Sequence, residues 1–85
     1  AQEKVYFTST PSLSPDARTV YFSYDGDIWS TDINGGNAAR ITALEGEEIN
    51  PHVSPDGKWL AFSSNQYGNY DIYVMPINGG KLELG

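Results

Sequence analysis

Apolar and polar residues alternate with a period of two along most of this chain, and Gly, Pro, Asn or Asp interrupts the alternation every few residues. Runs of this kind, rich in β-branched and aromatic side chains, predict consecutive antiparallel strands. No segment has a helical period. Strands are expected over residues 10–14, 19–23, 27–32 and 38–42, and again over 49–54, 58–63, 71–75 and 81–84. Val20 and Phe22 fall on one side of the second strand and Tyr21 on the other, while Leu60 and Phe62 oppose Trp59 and Ala61. A sheet with one wet face would alternate apolar and polar, so these small sheets are expected to be covered on both faces.

The eight expected strands are two copies of one four-stranded meander. Residues 11–23 align without a gap on residues 51–63, with six of thirteen columns identical. After a four-residue insertion in the second copy, residues 27–36 align on 71–80 with six of ten identical. Average composition would give about one or two matches over such a stretch, so the duplication is real. Repeated four-stranded sheets that need cover on both faces are blades of a β-propeller. The chain divides into a leading strand at 1–9, a first blade at 10–42, an acidic interblade loop at 43–48 and a second blade at 49–85.

Turn chemistry agrees with this division. In Ser54-Pro55-Asp56-Gly57, Pro presets φ, Asp can bond its own backbone and Gly accepts a positive φ. The first copy carries Ala17 in place of that glycine, so its turn either changes type or holds a strained alanine. Asn34-Gly35-Gly36 and Asn78-Gly79-Gly80 suit the hairpins between third and fourth strands.

Composition narrows the partners. Of 85 residues 39% are hydrophobic, too many for a disordered chain, and eleven acids against five bases leave a net charge of −6. Nucleic acid and anionic membranes both select a basic footprint, so neither is expected as a partner. Without cysteine there is no thiolate metal site, disulfide or cysteine nucleophile. No apolar run approaches the roughly 18 residues of a membrane helix.

Asn50-Pro51-x-Val53-Ser54-Pro55-Asp56-Gly57-Lys58-x-Leu60-Ala61-Phe62-Ser63-Ser64, followed by Asp71-Ile72-Tyr73-Val74-Met75, resembles the WD-like propeller repeat of the TolB type. That repeat occurs in periplasmic TolB, in relatives of prolyl oligopeptidase and in tricorn-like peptidases. The short loop Tyr24-Asp25-Gly26-Asp27 and the longer Asn65-Gln66-Tyr67-Gly68-Asn69-Tyr70-Asp71 are similar to the N-terminal propeller of exported, tricorn-like bacterial serine peptidases. That likeness implies a noncatalytic module that guides peptide substrates, with catalytic residues in a separate C-terminal domain that no position here matches. It also implies an exported, periplasmic setting. Two blades are fewer than a closed propeller holds, so further blades or self-association are expected.

Candidate chemistry is sparse. His52, the single histidine, lies in the strand nearest the propeller channel, with no second His or Cys to build a zinc site. Ser14 and Ser54 precede Pro-Asp turns, where a hydroxyl bonds the turn backbone. Neither Asp25-Gly26-Asp27 nor residues 65–71 match calcium-loop spacing, and Asn-Gly-Gly has no following helix to cradle phosphate. No catalytic group, metal or cofactor is expected. A meander sends its second-to-third and fourth-to-first loops to one face. Tyr24, Asp25, Glu45, Glu47, Glu48, Gln66, Tyr67, Asn69 and Tyr70 should gather there as an acidic, aromatic surface for a peptide or protein, above all a basic one.

Overall fold

The computed structural model describes residues 10–77 and 83–84. Within them the chain forms β1 (Ser12–Leu13), β2 (Thr19–Tyr24), β3 (Asp27–Asp32), β4 (Ala39–Arg40), β5 (Glu48–Val53), β6 (Trp59–Ser64), β7 (Asp71–Pro76) and β8 (Glu83–Leu84). They make two four-stranded antiparallel meanders, ordered β1-β2-β3-β4 and β5-β6-β7-β8. The expected leading strand and the Asn78-Gly79-Gly80 turn lie outside the described residues.

Central strands match expectation to within a residue, while β1 and β4 are only two residues each. Pro11, which has no N–H to donate, precedes β1. In β5 the register shifts between Ile49 and His52, and Asn50 there has φ 54°. This is a bulge, and it accommodates Pro51 inside a strand.

The meanders stack through opposite phases of the repeat. Blade 1 offers Tyr21 and Ser23 from β2 and Ile28 from β3, whereas blade 2 offers Leu60, Phe62 and Ser64 from β6 and Tyr73 from β7. Ile28 and Leu60 have no exposed surface, and Phe62 stacks on Tyr73 with ring centroids 6.1 Å apart. Ile41, Leu44, Val53, Met75 and Ile77 pack around this cluster. The expectation that both faces of each sheet are covered is therefore met within the described residues only where the blades meet. On the outer face of blade 2, Trp59 is 41% and Ile72 51% exposed.

Both Ser-Pro-Asp turns close alike. The Ala17 amide donates to the Ser14 carbonyl at 2.8 Å, as Gly57 does to Ser54 at 2.9 Å. Thr19 and Trp59 each donate their amide to the turn serine's Oγ at 3.0 Å, which gives Ser14 and Ser54 a structural role. Hydrogen bonds from Ser14 and from the Arg18 amide hold the Asp16 carboxyl below its ordinary value. Since the turn type is unchanged, Ala17 keeps φ 59° and bears the strain. Ala17→Gly is expected to raise the unfolding free energy by about 0.5–1 kcal/mol in a urea titration.

Candidate functional site

Three loops meet at one end of the blade pair. Asp25 and Gly26, with φ 51° and 84°, form the two-residue hairpin turn between β2 and β3. The stretch before β5 runs through Gly46, which also has a positive φ, of 84°. The third loop, from Asn65 to Tyr70, joins β6 to β7.

Gly46 is the point at which they touch. A side-chain carbon there would lie 2.5 Å from Asn65 Oδ1 and 3.0 Å from the Gln66 backbone, while one at Gly26 would lie 3.4 Å from the Gly46 carbonyl. Asn65 ties the contact down: its Oδ1 accepts the Glu47 backbone N–H at 2.6 Å and its own backbone N–H donates to the Glu47 carbonyl at 3.2 Å. The Tyr70 hydroxyl donates to Glu47 Oε2 at 3.4 Å, a loose bond. Desolvation first, then the Glu47 charge and this bond, hold the Tyr70 phenol above its usual 10.0.

Between the first two of these loops opens a cleft of about 340 Å³ lined by Ser23, Asp25, Gly26, Gly46, Glu47 and Ile49. Of the nine residues expected to gather on this face, Asp25 and Glu47 line the cleft and Tyr70 reaches Glu47. Tyr67, 82% exposed, belongs to the exposed part of the third loop with Asn69, while Gln66 is half-buried and donates its backbone N–H to Ser64 Oγ at 3.3 Å. Glu45 is exposed beside Gly46. Tyr24 does not join them. It sits in β2 on the phase facing away from blade 2, against Trp29, whose indole N–H donates to the Tyr24 carbonyl.

Glu48 is a correction of another kind. Expected on the exposed loop face, it opens β5 instead and is 0% exposed. Its amide donates to the Gly26 carbonyl at 2.9 Å, and its carbonyl accepts the Ser23 hydroxyl at 2.6 Å. Its carboxylic oxygens accept from Thr42 and Ser64 at 3.2 Å each, and its side chain also bonds Asp27. Arg40 pairs with Asp27 at 2.9 Å. Burial first, and then Asp27, pushes the Glu48 carboxyl up to about 7. Nothing in the sequence distinguishes Glu48 from Glu47, and strand alternation places it on the face opposite apolar Ile49, so its burial had no local signal.

His52 is exposed on β5, opposite Ala61, and no group of three His, Cys, Asp or Glu residues suited to a metal occurs among the described residues.

Two meanders stacked face to face, with first strands adjacent and interblade loops at one end, define consecutive blades of a β-propeller. The chain belongs to the tricorn protease N-terminal beta propeller domain family, which it matches over residues 4–83. It is 33% identical over 66 residues to tricorn protease homolog 1 of Streptomyces coelicolor, covering 78% of this chain and 6% of that protein. To the Tol-Pal system protein TolB of Francisella tularensis subsp. tularensis it is 38% identical over 81 residues, covering 88% and 19%. The crystal structure of TolB from Acinetobacter baumannii superposes with a TM-score of 0.78 at 27% identity, covering 92% of this chain and 21% of that one. The chain spans a quarter or less of the length of the curated relatives it matches.

Proposed function

We propose that this chain is a noncatalytic recognition module whose loop-face cleft takes basic peptide segments, as the substrate-guiding propeller of a larger exported peptidase. The carrying observation is the cleft itself, which sets Asp25 and Glu47 on its walls beside Tyr70. Neither of the two loops that line it, nor the Asn65–Tyr70 loop beside them, contains Lys or Arg. A concave site with one sign of charge focuses its field and attracts the opposite sign. Kinship with a tricorn protease homolog supports the peptidase setting, and kinship with TolB supports both export and the second reading, a periplasmic protein-binding propeller.

Fluorescence anisotropy with a labelled, Arg-rich decapeptide and its Glu-rich counterpart tests the reading. The basic peptide should bind, weakening several-fold between about 50 and 300 mM salt, and the acidic one should not. Combined Asp25→Asn and Glu47→Gln substitutions should weaken binding by roughly 3- to 10-fold. Equal affinity for both peptides, or indifference to the double substitution, would refute the assignment. Peptidase assays on the chain should show no turnover, and specific cleavage would overturn the noncatalytic reading.

A further inference from the structure

Glu48 joins the blades with both its backbone and its side chain. On the blade 1 side it meets Gly26, Ser23, Thr42 and Asp27, and on the blade 2 side it meets Ser64. Thr42 is oriented for this contact, because its hydroxyl accepts the Ile28 amide at 3.0 Å and is left to donate to Glu48. No buried side-chain nitrogen or oxygen among the described residues lacks a partner, so the cluster is fully satisfied.

Its charge balance is what makes it conditional. Asp27 and Glu48 are hydrogen-bonded to each other and both are buried, yet among the described residues the cluster has one cation, Arg40, placed on Asp27. One guanidinium compensates one carboxylate. Among the described residues the other titratable group that interacts with Glu48 is Tyr70, at the end of the β6–β7 loop, which cannot neutralise it; Glu47, next in sequence, is exposed and bonds Tyr70 instead. Two neighbouring like charges out of water cannot both persist at low cost.

We infer that Glu48 and Asp27 form a proton-held clasp between the blades, shut while Glu48 carries a proton that it donates to Asp27 and loosened when that proton leaves. The Glu48 backbone bonds to Gly26 and Ser23, two cleft-lining residues, so loosening the clasp also relaxes the wall of the cleft. The clasp stands whether or not the cleft takes peptide.

The direction with pH follows from linkage. The folded chain holds the Glu48 proton more tightly than the unfolded chain, with the carboxyl raised from 4.5 to about 7. A raised carboxyl contributes its full stability below pH 4.5 and loses it as pH rises through about 7.

Amide exchange of the Glu48 N–H in the 85-residue chain reads the clasp locally, and the carboxyl carbon shift of Glu48 reads its proton. The protection factor is expected to fall about a hundredfold between roughly pH 4.5 and 7.5, with the carbon titrating near neutrality. Glu48→Gln keeps an N–H for Asp27 and should hold protection level across that window. Titration of Glu48 below about pH 5, or unchanged protection in the wild type, would overturn the inference. So would the same slope in Glu48→Gln, since that slope would belong to the chain's overall negative charge. If the variant does not fold, the wild type decides: protection of the Glu48 N–H must fall with the same midpoint at which its carboxyl titrates, and different midpoints would overturn the inference.

Discussion

Phe62→Ala is expected to lower the unfolding free energy by about 3–5 kcal/mol, a large share of the roughly 5–15 kcal/mol typical of folded proteins. Phe62 is 1% exposed, stacks on Tyr73 and packs with Leu60, Ile28 and Tyr21 where the blades meet. Truncation there removes buried area and leaves a cavity in a wall formed by both blades, which neither can close alone. Phe22→Ala is the internal control. Phe22 occupies the same repeat position in blade 1 but is half-buried, on the phase facing away from blade 2. Its truncation should cost about 1–2 kcal/mol. Urea denaturation of both variants, followed by tryptophan fluorescence, makes the comparison. Equal losses would mean that the blade–blade contact is not the principal core.

Gly46→Ala should cost about 2–3 kcal/mol and weaken peptide binding at least tenfold. Two penalties coincide at this glycine. Its φ of 84° is strained for any residue with a side chain, and the added carbon would lie 2.5 Å from Asn65 Oδ1. Asn65 cannot swing clear without losing the Glu47 amide that it accepts at 2.6 Å. Behind it the Gln66 backbone stands 3.0 Å away, so the whole third loop must shift. Gly35→Ala isolates the first penalty: φ is 92° with nothing within 4 Å, and about 1 kcal/mol is expected with binding intact. Thermal melts and peptide anisotropy on the two variants separate strain from collision. An intact cleft in Gly46→Ala would show that the loops are not coupled through this contact.

Much of this architecture was legible because repetition and alternation are local signals. Twelve matched positions, the Ser-Pro-Asp turns and the period of two identify the meander without any knowledge of what lies across from it. Length of the short strands was harder to read. β1 and β4 each pair with a single neighbour within their own sheet, and few ladder bonds hold their ends. Burial phase was also hidden. Tyr21 and Phe22 look alike in sequence, and only the neighbouring blade decides that Tyr21 is covered on one side and Phe22 belongs to the other.

The loop face shows the same division. Asp25, Glu47 and Tyr70 could be placed together by connectivity, since meander loops alternate ends. Glu48 could not, because composition reads it as one more acid in an acidic loop, whereas its solvation depends on Thr42, Ser64 and Asp27 from three separate segments. Ala17 lies between these cases: the missing glycine was visible, and its positive φ shows which of the two open outcomes the fold adopts.

Unequal turns on adjacent repeats leave the rim of this module stepped. A two-residue hairpin in the first repeat sits beside a longer arm in the second, moored by Asn65 at its base and by Tyr70 at its far end. Lengthening a tethered arm is thermodynamically cheap, about 0.6 kcal/mol for each doubling. Residues 67–69, the exposed span of this arm, can therefore change in length and chemistry while the sheets beneath stay unaltered.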